Sequence, residues 1–249
     1  MIWSLVFMAL QRIQVVGSSA ASNFAANKQD HSWPHLLSQH LGDMVKVDVV
    51  IRPGLTPIRA IDELLHLNNC DLLILHLGTS VGWPSTIVDL GYRLGIDFES
   101  EYALHQPAFR SKKFHRRVKA QFKARLRNTA KYLLFFTGMY QPRINLAELD
   151  EQVNALIDLA FQKAPHVIWI QHRAIPHRRI FLERMISTRF YNRLLSALSK
   201  RECESLKVIF EEREFLVKEN YLMDFVHLSE NGHFELFKKI AEAVESFEN

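Results

Sequence analysis

Two cysteines among 249 residues are too few for a disulfide framework, and Cys70 and Cys203 lack metal-site spacing. They are expected to be small apolar residues in a reducing compartment. Long apolar runs are missing as well. The longest, Ile2 to Leu10, contains a serine and falls well short of the ~20 residues that a membrane span needs, which argues against a transmembrane helix. No Lys or Arg precedes that run and the segment after it reads as a strand, so it is not read as a secretion signal, and the cytoplasm is the expected compartment. Repeats, low-complexity tracts and Pro/Gly-rich linkers are also lacking, which favours one continuous domain over 1–249. An apolar fraction of 48% with 23% charged residues excludes a disordered or fibrous chain.

Acidic residues are absent from a long stretch. Between Glu101 and Glu148 there is none, whereas Arg110, Lys112, Lys113, Arg116, Arg117, Lys119, Lys123, Arg125, Arg127, Lys131 and Arg143 supply eleven of the 31 positive charges. With a net charge of only +4, the remainder of the chain is net negative. Such a block reads either as a solvated helix face in an insertion, or as a surface for an anionic partner such as a phosphorylated or acidic saccharide, a membrane surface or nucleic acid. Nucleic acid ranks last, because Phe109, Phe114 and Phe122 are interleaved with the charges but no recognised binding motif accompanies them.

Short runs rich in Val and Ile alternate with longer segments of helical period, the pattern of a parallel sheet covered by helices. The expected strands are Arg12–Val16, Val45–Ile51, Leu72–Leu77, His166–Gln171 and Lys207–Phe210. Trp33–Leu41 and Pro57–Leu67 read as helices, the second with Thr56 as cap and Pro57 at its first position. Leu146, Leu149, Val153, Leu156, Ile157, Ala160 and Phe161 fall on one helical stripe, as do Phe234, Phe237, Ile240, Ala241, Val244 and Phe247, and both stripes are expected in the core. The segment at about 82–140 is expected to be a basic helical insertion after the third strand.

In an open parallel sheet the loops beyond the carboxyl ends of the strands carry the chemistry. After strand one comes Gly17-Ser18-Ser19-Ala20-Ala21-Ser22. This can be a tight turn exposing a hydroxyl, or a plain Ser-rich turn capping a helix; it lacks the second glycine and the Lys-Ser/Thr of a phosphate loop. Near the other end stands Asp224-Phe225-Val226-His227-Leu228-Ser229, directly before the last amphipathic helix. A carboxylate three residues before a histidine can hold its Nδ1 proton and leave Nε2 as a general base, and the same residues can equally be a helix-entry pair with Ser229 as cap. Ile170 to Arg179, after strand four, reads as a basic loop into the next helix or as a substrate-facing surface carrying His172 and Arg173. Twelve histidines show no Cys/His spacing of a metal site, so no metal and no cofactor is expected.

Together these blocks resemble the SGNH/GDSL hydrolase family over most of the chain. Gly17-Ser18-Ser19 looks like the family's Gly-Asp-Ser block, and Asp224–His227 with the trailing Leu-Ser-x-x-Gly-His looks like its Asp-x-x-His block. Gly54, in Arg52-Pro53-Gly54-Leu55-Thr56, stands in for the second block, and Gly78-Thr79-Ser80 for the Gly-x-Asn of the third. The resemblance implies a three-layer α/β/α, flavodoxin-like fold with a five-stranded parallel sheet. It assigns Ser19 as nucleophile, His227 as base and Asp224 as its orienting partner, with Ser19, Gly54 and Ser80 forming the oxyanion hole. Two positions depart from the family: Ser18 replaces an aspartate that supports the turn, and Ser80 replaces the asparagine whose amide faces the developing negative charge.

What the resemblance implies is a serine esterase that removes a small acyl group, acetyl above all, from a carbohydrate or related ester through an acyl-enzyme. The expected partner is a small-molecule or saccharide ester, anionic if the basic segment takes part, with no nucleic acid. Two alternatives stay open: an O-acyltransferase with the same triad, and a non-catalytic glycan-binding protein of this fold.

Overall fold

The structure, a computed structural model, describes residues 10–22, 31–52, 54–77, 118, 144–171, 181–210, 218–221 and 227–247, without the side chains of 181–187 and 218. The chain divides into two compact units, Met1–Gly82 with Ile144–Asn249, and Trp83–Arg143. Every element below belongs to the first. The second spans the expected basic insertion and, Val118 apart, lies outside the described residues.

Five strands form one sheet: β1 (Arg12–Gly17), β2 (Lys46–Ile51), β3 (Leu72–His76), β4 (His166–Gln171) and β5 (Leu206–Phe210). All neighbours pair in parallel, in the order β2-β1-β3-β4-β5. The three inner strands are apolar and almost wholly buried because helices cover both faces. Side chains alternate between those faces. Ile13, Val15, Leu72, Ile74, Ile168 and Ile170 join Trp33, Leu37 and Leu41 of α1 (Trp33–Leu41) and Leu236, Ile240 and Val244 of a C-terminal helix in one core cluster. The opposite face is covered by α2 (Pro57–Leu65) and α3 (Leu149–Lys163), with α4 (Phe181–Ser199) packed on α3. The C-terminal helix is α5 (Glu230–Glu245), and it packs beside α1. The architecture is the expected three-layer α/β/α arrangement.

The edge strand β2 is protected by charge. Asp48 receives Arg12 and Lys46, each at 2.9 Å, and the hydrogen bond from Lys46 holds its carboxyl below the usual carboxylate range. At the base of β1, the Asp71 carboxylate accepts the backbone N–H groups of Gln11 and Arg12 at 2.8 and 2.7 Å, which fixes where the strand begins.

Several sequence expectations shift by a residue or more. β1 runs on to Gly17, β2 starts at Lys46, β3 stops at His76, β5 starts at Leu206, and α2 ends at Leu65. Thr56 is the N-cap of α2 but its hydroxyl makes no capping bond. Leu146 lies in a turn ahead of α3 and Phe234 is 48% exposed, so neither belongs to the core. In α5 Ile240, Ala241 and Val244 are buried as expected and Phe237 and, just past its end, Phe247 pack half-buried against the core, while His233 and Leu236 take the inward positions at the start of the helix. Of the cysteines, Cys70 is buried and Cys203 exposed, and both are free thiols. Among the described residues no helix is long and apolar enough to cross a membrane.

Candidate active site

The strand order reverses between β1 and β3, and in open parallel sheets the crevice at such a reversal is where ligands bind. The turn that leaves β1 there is Gly17–Ser22. Gly17 is required by close approach: a Cβ at this position would lie 2.5 Å from the Ala21 Cβ and 3.3 Å from the Ile51 Cδ1. The turn is tied to both neighbouring strand ends, since Ser18 N donates to the His76 carbonyl at 2.7 Å and Arg52 N donates to the Gly17 carbonyl at 2.8 Å. Within it, the Ser18 carbonyl accepts Ala21 N at 2.9 Å, the Ser18 hydroxyl accepts Ala20 N at 3.3 Å, and the Ser22 hydroxyl donates to the Ser19 carbonyl at 3.0 Å. The two serines are thereby separated in role. Ser18 is buried and holds the turn, as an aspartate could, whereas Ser19 is partly exposed at its crest.

The second component comes from the far end of the chain. A short 3-10 turn, Lys218–Asn220, braces the entry to α5. The Asn220 carbonyl accepts Ser229 N at 2.9 Å, and the Glu219 carbonyl accepts the Ser229 hydroxyl at 2.5 Å. Asn231 Nδ2 donates to Asn220 Oδ1 at 2.5 Å, and Tyr221 bridges to Leu228 in antiparallel fashion. Ser229 is the N-cap of α5, its hydroxyl accepting Gly232 N at 3.1 Å. The residue held just ahead of this brace is His227. Its Nε2 lies 3.1 Å from Ser19 Oγ, joining positions 208 residues apart in sequence. That is hydrogen-bonding distance between a hydroxyl and a ring nitrogen able to take its proton.

Of the other expected site residues, Gly54 is described. It lies in the loop after β2 with φ 66°, a left-handed conformation that favours glycine. Ser80, Asp224, His172 and Arg173 lie outside the described residues. Neither cysteine lies at this site: Cys70 is buried ahead of β3, where burial pushes its thiol up to about 11, and Cys203 lies just before β5, away from the carboxyl ends of the strands. Among the described residues no group of three His, Cys, Asp or Glu side chains is arranged to hold a metal ion.

Two features of the site were not read from the sequence. One is the Asn220 brace, which works through a main-chain carbonyl. The other is a buried trio beneath the turn: Trp33 Nε1 donates to His76 Nδ1 at 3.3 Å and Trp33 N donates to His233 Nδ1 at 3.4 Å. The histidine inside the apolar run Leu75-His76-Leu77 was its one visible signal.

No protein-family model matches the chain, and no curated protein matches it. Solved structures do share its fold. TesA aligns over 95% of this chain and 99% of its own with a TM-score of 0.60 and 13% identity. A member of the lipolytic protein G-D-S-L family from Veillonella parvula aligns over 93% and 97% with a TM-score of 0.53 and 11% identity. Axe2, an acetylxylan esterase from Geobacillus stearothermophilus, aligns over 95% and 96% with a TM-score of 0.53 and 13% identity.

Proposed function

We propose that this chain, which has the SGNH/GDSL hydrolase fold, is a serine esterase whose nucleophile is Ser19 and whose general base is His227. The observation that carries the reading is the 3.1 Å contact between Ser19 Oγ and His227 Nε2 at the reversal point of the sheet. In the reaction His227 takes the Ser19 proton as Oγ attacks the acyl carbon, and the carbonyl oxygen gains negative charge. Collapse breaks the ester C–O bond, the leaving alkoxide receives the proton from His227, and the acyl group remains on Ser19. A water then gives its proton to His227 and attacks the acyl-enzyme, releasing the acid and returning the proton to Ser19.

Asp224, three residues before His227, is assigned to hold the imidazole in the tautomer that leaves Nε2 as acceptor. Stabilisation of the oxyanion is assigned to the Ser19 and Gly54 backbone amides and the Ser80 hydroxyl, which takes the place of an amide donor. Replacing Ser80 by alanine is expected to lower turnover by about 10²–10³-fold with little change in substrate binding. His172 and Arg173 are assigned to substrate contacts.

The substrate class proposed is a carbohydrate O-acetyl ester. Its support is the small-acyl reading of the motifs together with the fold shared with an acetylxylan esterase. The acid-free basic stretch would favour an anionic saccharide, through attraction that is screened beyond ~10 Å at 0.1 M salt. The test is acetate release from O-acetylated saccharides alongside an aryl acetate. Release from both, abolished by Ser19→Ala, supports the reading, and hydrolysis unaffected by Ser19→Ala contradicts it.

A further inference from the structure

The nucleophile and the base lie 208 residues apart, and something in the fold has to set the 3.1 Å between them. Trp33, the first residue of α1, is bonded toward both sides at once. On the Ser19 side, its indole Nε1 donates to His76 Nδ1 at 3.3 Å, and the His76 carbonyl accepts Ser18 N at 2.7 Å. Toward His227, its main-chain N–H donates to His233 Nδ1 at 3.4 Å, and His233 N donates to the Ser229 carbonyl at 2.9 Å, two residues beyond His227. Trp33, His76 and His233 are all 0% exposed. Ser32, the N-cap of α1, makes no side-chain capping bond, so an imidazole from α5 takes one of the donors that a helix start leaves over. Accepting at Nδ1 requires each imidazole to be neutral with its proton on Nε2.

We infer that Trp33 is a positioning residue: through His76 and His233 it sets the separation of Ser19 and His227. The geometric content stands by itself, while the effect on rate rests on the esterase reading. An indole suits the task because it is large, rigid and carries a donor at its edge. The two bonds are long, so the bulk of the ring contributes beside them; its centroid lies 6.0 Å from that of His76.

The test uses the full chain with ¹⁵N-labelled histidine, and it has two readouts. The first is the change in the His227 ring ¹⁵N shift when Ser19→Ala is introduced, which reports the Ser19–His227 bond without any catalysis. That change is expected in the otherwise native chain and is expected to vanish when Trp33→Phe is also present. The second is the rate at which a fluorophosphonate labels Ser19. Trp33→Phe and His76→Leu are expected to lower it about tenfold or more, since small misplacements of reacting groups are costly. His76→Asn, which returns an acceptor near the Nδ1 position, is expected to stay within about threefold of the native rate, a rescue that a merely structural role would not give. Should Trp33→Phe fail to fold, the His76→Leu and His76→Asn pair decides by the same two readouts.

A ring-shift change of native size in the Trp33→Phe background overturns the inference, as does labelling at the native rate in both Trp33→Phe and His76→Leu. A native chain that never labels, but whose shift change still disappears with Trp33→Phe, overturns the esterase reading and leaves this one standing.

Discussion

Gly232 lies directly against the main chain of Asn220: a Cβ at position 232 would fall inside van der Waals contact with the Asn220 carbonyl, 2.9 Å from its carbon. The same carbonyl accepts Ser229 N, so a methyl group at 232 would push on the brace that holds His227. Gly232→Ala is expected to destabilise the protein by about 1–3 kcal/mol, the usual cost of overpacking. It is also expected to lower ester turnover more than the lost stability explains. Denaturant midpoint and turnover measured on the same preparation check this.

The two serines of the β1 turn separate structure from chemistry. Ser18→Ala leaves the buried Ala20 N–H without its acceptor, so a loss of about 1–3 kcal/mol in stability with retained reactivity is expected. Ser19→Ala is expected to do the reverse, abolishing turnover with little change in the denaturation midpoint. Loss of reactivity in Ser18→Ala alone would mean that the nucleophile is misassigned.

Much of the fold was legible because a sheet covered on both faces needs apolar residues without interruption, as in Leu72–His76 and His166–Gln171. Less legible was the first turn of α5. Phe234 and His233 are adjacent in sequence, and hydropathy alone puts the phenylalanine inward, whereas the buried bond from Trp33 N makes the histidine the core residue. The bounds of α4 were not read: over its described side chains, 188–199, the buried residues (Phe190, Leu194, Ala197 and Leu198) are interleaved with polar ones. Ser19 and His227 could be picked out because each stands in a short contiguous block. Asn220 could not, because any residue supplies a carbonyl, and neither could the Trp33, His76 and His233 trio, which is assembled from three distant segments.

The assigned triad should behave as a unit. Asp224→Asn is expected to lower turnover by about 10⁴-fold, and His227→Ala by at least about as much. Neither is expected to add to Ser19→Ala in a double variant, because members of one relay are not independent. Additive losses would separate Asp224 or His227 from the reaction.

Free thiols give a test independent of function. Cys203 is exposed and is expected to react rapidly with a thiol reagent in the native protein, whereas Cys70 is expected to react only on unfolding. Burial raises the Cys70 pKa from 9.0 to about 11, so the neutral thiol is favoured in the folded state. Its contribution to stability is fully present below pH ~9 and is lost as pH rises through about 11. Two thiols titrating at once in the native state would contradict the packing at β3.

The most direct measurement is to treat the native chain with a fluorophosphonate and locate the modified residue by peptide mass analysis. The account predicts a single phosphonylated serine, Ser19, with labelling lost in His227→Ala and retained in Ser18→Ala. Labelling at another serine, or a native chain that stays unmodified while its fold is intact, would contradict it.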